Sequence, residues 1–354
     1  MENNDLSGKN SLDFLPSTHY SYIKWILQLT IFFVSLSTSA IVQAEDPNSL
    51  LSIKEIKELA PQIKAAEKSL LNIKIQSEAW IETKTNLSDP CEPWKRTPIY
   101  VSCTAWLDGR PRGKARVDVN KEVLEWRDGA APYAESSYSV GFDGHYGRLA
   151  KHTFGHSGRT HHSKRGKLLA DAPKGLRSGS ARSFTGTGFS LNFFFSDMDY
   201  TFSDLFRWAD DPNTLVTSSF QFTQEVFQGV QCIKIASKGT KRFQQSWWLD
   251  SERGFALLGD KYTSILEDGT ERLVSFMKVS KLNEVADGIW WPMEAYAESG
   301  PSAPGKPYSR TVYRASNVVA NDPNFDESVF TVPFPDGYLI DDKVNGRKYT
   351  VGQQ

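Results

Sequence analysis

The sequence predicts a mainly β protein with helices, in which a single strongly curved antiparallel sheet, an unclosed half-barrel, wraps around lid helices. An amphipathic helix opens the exported part of the chain. About ten or more segments with an alternation of period two follow it. No repeat with a register of about 20–50 residues is present, which argues against a propeller or a solenoid.

The beginning of the chain has the pattern of a signal peptide. Tyr22–Ala44 is a Lys-flanked apolar run followed by small residues, and Val42, Gln43 and Ala44 give it an A-x-A-like end. The apolar core, Trp25–Leu36, is shorter than the roughly 20 residues of a membrane span. We therefore expect cleavage after Ala44 and a periplasmic or secreted protein, with anchoring by an uncleaved segment as the alternative.

The expected mature chain carries balanced charge. Residues 1–44 contain two Lys and three Asp or Glu, which leaves 39 basic and 39 acidic residues. A neutral chain argues against nucleic acid as a bulk partner. Gly186 and Gly188 lack the third glycine of a nucleotide fingerprint, and the sequence predicts no cofactor.

Residues 52–74 are predicted to form the opening helix. Apolar side chains recur at steps of three and four, at Ile53, Ile56, Leu59, Ile63, Ala66 and Leu70. Ser52 and Glu55 form a capping box, and Pro61 is expected to bend or divide the helix.

The strands begin where the period changes to two. Successive alternating segments up to Phe154 are separated by turns such as Asp108-Gly109 and Asp143-Gly144. Residues 155–186, rich in Gly, Ser, Arg, Lys and His, are predicted to form a long basic loop inserted in the domain.

The second half of the chain begins with an aromatic segment. Phe189–Asp211 is predicted to be helical in its second half, and strands resume at Leu215. We therefore expect a half-barrel domain over residues 45–337 and an extended C-terminal tail over residues 338–354.

Two tryptophan pairs, Trp247–Trp248 and Trp290–Trp291, lie in predicted strands. Neighbouring side chains of a strand point to opposite faces, so each pair places one indole on each side of the sheet. We expect the concave side to hold one indole of each pair against a helix or a ligand. The tail or loops would then shield the other indole on the convex side.

Three cysteines remain after the expected cleavage. In an oxidising compartment Cys91 and Cys103 are candidates for a disulfide across one turn, and free thiols are the alternative. Cys232 lies in a predicted strand.

Basic and histidine residues concentrate in one region. His152, His156, His161 and His162 are weak candidates for a metal site, with a solvated loop as the alternative. Arg148–Arg182 carries nine Lys or Arg and one acid, so an anionic membrane surface or an envelope protein is a candidate partner. No G-x-S-x-G motif is present, and the chain is predicted not to be an enzyme.

The stretch "WWLDSERGFALLGDKYTS" and the later "ASNVVANDPNFDESVFTVPFPDGYLIDD" are similar to the LolA/LolB/RseB-like superfamily of periplasmic lipoprotein carriers. The residues that carry the resemblance are Trp248, Asp250, Gly254 and Leu257, then Asn317, Phe325, Phe330, Phe334, Pro335 and Gly337. It covers mainly residues 215–337 and the opening helix, and the chain is longer than a typical carrier. The resemblance implies an unclosed barrel whose helices cover an apolar cavity for acyl chains, and it transfers no catalytic residue.

These observations predict an exported cell-envelope protein that holds an acyl chain, a lipoprotein or another apolar ligand in the concave face. The candidate lining residues are aromatic: Phe189, Phe193, Phe195, Phe202, Phe206, Trp208, Trp247, Trp248, Trp290 and Trp291. The alternatives are an envelope sensor or interaction module with a filled core, and a metal-dependent enzyme that uses the His-rich loop.

Overall fold

The structure is a computed structural model that describes residues 49–86, 89, 91–109, 113–123, 134–155, 163–170, 202, 206, 220–237, 243–266, 269–300 and 307–353. The predicted signal peptide lies outside these residues. Helix α1 (Ile53–Ser69) is followed by β1 (Asn72–Lys84), β2 (Lys95–Asp108), β3 (Ala115–Val123), β4 (Ala134–Phe142), β5 (Gly147–Gly155), β6 (Ser163–Leu169), β7 (Phe220–Phe227), β8 (Val230–Ser237), β9 (Phe243–Asp250), β10 (Ala256–Ile265), β11 (Glu271–Ala286), β12 (Ile289–Ser299), β13 (Tyr308–Ala320), β14 (Leu339–Asp342) and β15 (Arg347–Thr350).

The described strands form one sheet of fifteen, in the order β15-β14-β6-β5-β4-β3-β2-β1-β13-β12-β11-β10-β9-β8-β7. The two end strands, β15 and β7, do not pair with each other, so the sheet is unclosed. Neighbouring strands are antiparallel except β6 and β14, which are parallel. The predicted fold class is confirmed, with this parallel pair as a difference from a fully antiparallel sheet.

β-bulges account for the bending of the sheet. Register shifts lie at Gln76/Ser77 and Trp80/Glu82 in β1, and at Leu257/Gly259 and Tyr262/Thr263 in β10. An extra residue in one strand bends that strand and increases its twist. Large twisted sheets of this kind curl, which gives the half-barrel.

Helix α1 connects the β7 edge with the middle of the sheet. The N–H of Leu51 donates to the carbonyl of Phe222 in β7 (3.0 Å), and the N–H of Gly109, after β2, donates to the carbonyl of Leu71 (3.0 Å). Ile56, Ile63 and Ala66 of the helix are buried in the main core. The helix therefore lies across one face of the sheet, which we call the inner face.

The start of α1 agrees with the sequence, and its end does not. Ser52 and Glu55 form the predicted capping box, and Pro61 lies inside the helix. The helix ends at Ser69 rather than at Lys74. From Asn72 the chain pairs with both β2 and β13, and this strand pairing overrides the apolar spacing that continued the predicted helix.

Two other predicted boundaries are wrong. The loop predicted over residues 155–186 contains β6, which pairs with β5 from Thr153↔Ser163 to Gly147↔Leu169. The predicted tail forms the hairpin β14–β15, which extends the same sheet beside β6. Both segments have few apolar residues, and they pair because the sheet edge supplies hydrogen-bond partners to their backbones.

The outer face is covered by two different layers. Over β3–β6, the segment around Val332, Phe334 and Ile340 packs so closely that a Cβ on Gly166 would lie 2.5 Å from Ile340 and 3.0 Å from Phe334. Over β1 and β2, charged side chains cover the aromatic rings. The guanidinium of Arg96 lies 4.6 Å from the ring centre of Trp80. The tail was expected to shield one indole of each tryptophan pair, but its residues Tyr338 and Ile340 pack over β5 and β6, away from β9 and β12, which carry the pairs. Cation–π contacts cover the rings on β1 and β2.

Acid is expected to weaken the β14–β15 hairpin through Asp342. This buried carboxylate accepts hydrogen bonds from the side chain and N–H of Asn345, both at 2.9 Å, and from the N–H of Val344 at 3.1 Å. The bonds from Asn345 are the main cause that holds the pKa of Asp342 below its usual value. A depressed carboxyl pKa contributes stability above the unfolded pKa, and this contribution is lost as the pH falls through the folded pKa.

The test compares the free energy of unfolding of the wild type and Asp342→Asn from pH 7 down to pH 3. The difference should be largest at neutral pH and should shrink below about pH 4, the ordinary Asp pKa. A difference that stays constant over this range would contradict the assignment.

The candidate disulfide between Cys91 and Cys103 is not formed, and the alternative of free thiols holds for all three cysteines. Cys91 is exposed in the turn before β2, whereas Cys103 is buried in the middle of β2, paired with Ser77 of β1. Cys91 precedes Lys95, the first residue of β2, and Cys103 lies eight residues after Lys95. Eight residues of strand span about 26 Å at the usual rise, whereas a disulfide needs Cα atoms within about 7 Å.

Candidate functional site

The inner face can be followed from strand to strand through the register. Ile75 of β1 is the partner of Ala105 in β2, and Ala105 is the partner of Val117 in β3. In the other direction Ala79 is the partner of Tyr313 in β13, and Tyr313 is the partner of Ala295 in β12. All six side chains therefore point to the same side, and all are buried.

One half of the inner face, from β2 through β1 and β13 to β7, shares one buried core with Ile56, Ile63 and Ala66 of α1, and we call it the closed half. Trp291 and Tyr313, exposed by 0% and 1%, occupy its centre. Phe202 contacts Trp247 edge to face, with ring centres 6.1 Å apart. Phe206 contacts Phe222 with ring centres 4.7 Å apart. The closed half is an aromatic core into which residues of the segment 189–211 insert.

Burial raises the pKa values of two groups in the closed half, the Cys103 thiol and the Tyr313 phenol. Burial raises the pKa of the Cys103 thiol to about 12, and the nearby Asp118 acts in the same direction. Burial also raises the pKa of the Tyr313 phenol. A thiol with such a pKa is present almost entirely as the unreactive thiol at neutral pH, so Cys103 is a packing residue and not a nucleophile.

Each tryptophan pair does place one indole on each face, as predicted. Trp247 and Trp291 lie on the inner face, and Trp248 and Trp290 lie on the outer face. Trp248 stacks on Phe227 at 4.6 Å, and the guanidinium of Arg253 lies 5.7 Å from the ring centre of Trp290. Trp248 and Trp290 were therefore wrongly included among the cavity-lining candidates, because only alternate residues of a strand reach the concave side.

The other half of the inner face, from β3 to β6, is buried at Val117, Val119 and Val140 and becomes exposed to solvent at Lys151 of β5 and Arg165 of β6, and we call it the open half. Its apolar side chains Tyr138 and Leu149 are half-buried and pack against the main core. Lys151 and Arg165 beside them are exposed. Apolar and cationic side chains thus share one solvent-accessible concave surface.

Sequence reasoning missed the open half. It assigned Arg148–Arg182 to one basic region, although the alternation within β5 and β6 divides these charges between the two faces. Arg148 lies on the outer face, where its guanidinium is 5.6 Å from the ring centre of Phe334. Recognition of β6 as a strand would have revealed the division.

The remaining predicted site residues lie on the outer face or outside the described part of the chain. His152 is the partner of Lys164 on the outer face of β5. Among the described residues no group of three or more His, Cys, Asp or Glu side chains is placed to hold a metal ion. Outside the described residues lie Phe189, Phe193, Phe195, Trp208, His156, His161 and His162.

A depression on the outer face of β7 and β8 is not suited to an apolar ligand. Gln221, Thr223 and Ala236 line it together with Lys234 and Glu225, whose charged atoms are 2.7 Å apart. The two charges neutralise each other, and the depression is separated from the inner face by the sheet.

Comparison with family models finds no match, and comparison with curated proteins finds none. Comparison with solved structures gives matches that include a DUF1329 family protein from Desulfovibrio piger, with 14% identity, a TM-score of 0.41 and coverage of 79% of this chain and 97% of that chain. They also include a domain from Vibrio parahaemolyticus that is described as an outer membrane lipoprotein-sorting protein domain. Its identity is 11%, its TM-score is 0.38, and the match covers 79% of this chain and 97% of that chain.

A chain of the MucA/MucB complex of Pseudomonas aeruginosa matches with 9% identity and a TM-score of 0.19, and the match covers 72% of this chain and 93% of that chain. In the described residues no helix has the length and apolar character needed to cross a bilayer. Likeness at these TM-scores and identities carries no conclusion about family or activity.

Proposed function

We propose that this chain is an exported cell-envelope protein that binds an acyl chain or another apolar ligand against the concave face of the half-barrel. The observation that carries the proposal is the continuity of the inner face. The aromatic closed half around Trp247 passes, without leaving that face, into the open half around Leu149. An acyl chain lying along this surface would be shielded from water on its protein side.

Phe202 and Phe206 are the proposed lid residues. They contact Trp247 and Phe222 of the closed half, although they come from a segment outside the strands. Their displacement would expose two aromatic rings, and an acyl chain could replace the lost contacts. Aromatic surfaces of this kind exclude water well and discriminate weakly among chains of different length, which suits a carrier or a lipid sensor.

The direct test is to express the full chain with its own leader, purify the exported protein without detergent, and record its native mass. Organic extraction would identify co-purifying lipid. Titration with a fluorescent fatty acid would measure binding by the same protein. Lipid at near-stoichiometric amounts, or saturable uptake of the probe, is the expected result. A ligand-free mass together with no uptake would reject the proposal.

Leu149→Asn is expected to weaken fatty-acid uptake about fivefold to tenfold. The substitution replaces apolar surface in the open half with an amide, and the loss of most of one leucine contact corresponds to about 1–1.4 kcal/mol. Leu266→Asn is the control, because Leu266 is 43% exposed in the turn after β10. Equal uptake by both variants would show that the open half is not part of the binding surface.

A second candidate function is an envelope sensor or interaction module with a filled core. Trp291 and Tyr313, almost completely buried, already fill the centre of the closed half. The two candidates differ in what loading does to the lid. A ligand that enters the closed half should change the fluorescence of Trp247, whereas a filled core should leave the emission unchanged while the protein still binds a protein partner.

A further inference from the structure

The open half contains a pair of cations that face each other directly across two strands. Lys151 of β5 and Arg165 of β6 are Cα partners, so their side chains leave the inner face side by side. Both are exposed, and neither has a carboxylate partner among the described residues. Like charges directly opposite each other destabilise an antiparallel pair. The pair is thus unfavourable unless an anion lies between the two side chains.

Two further cations, Lys121 of β3 and Lys167 of β6, lie on the same face. Burial, together with the nearby Lys151, lowers the pKa of Lys121. Inner-face positions of β3–β6 contain no Asp or Glu at all. The nearest acid in register is Asp341 of β14, opposite Lys167, and its carboxylate is 2.9 Å from the ammonium of Lys343. Lys151 and Arg165 are therefore the exposed positive charges of a face whose strand positions carry no acid.

The cations rise from an apolar surface. Tyr138 of β4 is the direct partner of Lys151, and Leu149 of β5 is the direct partner of Lys167. Leu339 of β14, 47% exposed, is the partner of Arg165. A small hydrated anion would gain nothing from these apolar neighbours, whereas an amphiphile could contact both kinds of side chain.

We propose that the open half binds the phosphate-bearing head group of an anionic lipid, with Lys151 and Arg165 in contact with the phosphate and the acyl chain lying over Tyr138 and Leu149. The guanidinium of Arg165 has the planar fork that matches two phosphate oxygens, and the ammonium of Lys151 supplies a further charged donor. The inference rests on the proposed function, because it assigns the polar end of the same bound lipid.

The test measures binding of two lipids with the same fluorescent acyl chain, one phosphatidylglycerol and one uncharged diacylglycerol. The full-length exported protein is compared with the double variant Lys151→Glu, Arg165→Glu. We expect the variant to lose at least tenfold in affinity for phosphatidylglycerol and to keep its affinity for diacylglycerol. Lys151→Gln, Arg165→Gln should show a smaller loss of the same selectivity.

Lys164→Glu is the matched control, since it lies beside Arg165 on the same strand, is exposed, and points to the outer face. It should bind both lipids as the wild type does. Circular dichroism and the unfolding midpoint establish that each variant is folded, which is expected because charge reversal removes no core contact.

The outcomes separate the two proposals. If the wild type binds neither lipid, the proposed function fails. If every variant binds both lipids as the wild type does, lipid binding stands and the head-group site is overturned. If inorganic phosphate at millimolar concentration displaces phosphatidylglycerol completely, the site recognises free phosphate and the lipid assignment is overturned.

Discussion

Replacement of Trp291 by alanine is expected to lower the free energy of unfolding by about 3–5 kcal/mol, the usual cost of removing a large aromatic side chain from a core. Trp291 is completely buried in the closed half, where its strand neighbours Ala295 and Tyr313 face the same side. Two mechanisms contribute to the loss, since apolar transfer energy disappears and a cavity remains in the core.

Urea unfolding measures this effect, and the adjacent residue supplies the control. Trp290 has the same side chain on the outer face, where it is half-buried beside Arg253. We expect Trp290→Ala to cost about 1–2 kcal/mol, from partial burial and a cation–π contact. Equal losses for the two variants would contradict the assignment of the pair to opposite faces.

Asp250→Ala is expected to lower the free energy of unfolding by about 2–4 kcal/mol, because it leaves buried hydrogen-bond donors without an acceptor. Asp250 is completely buried at the end of β9. Its carboxylate accepts from the N–H groups of Glu252 (3.0 Å) and Arg253 (3.1 Å) and from Nε of Arg253 (2.5 Å). This one side chain thus organises the turn between β9 and β10.

Asp250→Asn separates the two contributions. An amide oxygen can still accept from both backbone N–H groups, and only the charge pairing with Arg253 is lost. We expect Asn to retain about half of the stability that Ala loses, because hydrogen bonds to charged groups exceed neutral ones by about twofold. If Asn and Ala were equally destabilising, the backbone bonds would contribute nothing and the turn assignment would be wrong.

The two halves of the inner face have different consequences for stability. The closed half stabilises the fold through buried aromatic packing, as at Trp291. The open half contains an opposed cation pair, Lys151 and Arg165, that gives the unliganded protein no stability. Unfavourable charge on an exposed apolar surface is typical of a binding site, where function and stability conflict.

Several local features could be predicted from the sequence because they depend on residues close together in the chain. Ser52 and Glu55 are three residues apart and determine where α1 begins. The alternation within β9 determines that Trp247 and Trp248 point to opposite faces. The same short stretch contains Asp250 and carries part of the resemblance to the carrier superfamily.

Strand order and the composition of the open half depended on the tertiary structure. Lys121, Lys151 and Arg165 belong to three strands, and their proximity depends on a register that no local pattern specifies. The parallel pairing of β14 with β6 joins residues more than 170 positions apart. Cys91 and Cys103, near in sequence, are far apart because an extended strand separates them.

The sequence by itself determined the fold class, the start of α1 and the opposite orientation of the two indoles in each pair, since the periods of helix and strand are local properties of the backbone. Only the tertiary structure decided which faces meet, where the sheet ends, and which cations gather beside Leu149. Those outcomes depend on pairing between distant segments, where burial of apolar surface and backbone hydrogen bonds select one arrangement among many that the local pattern allows.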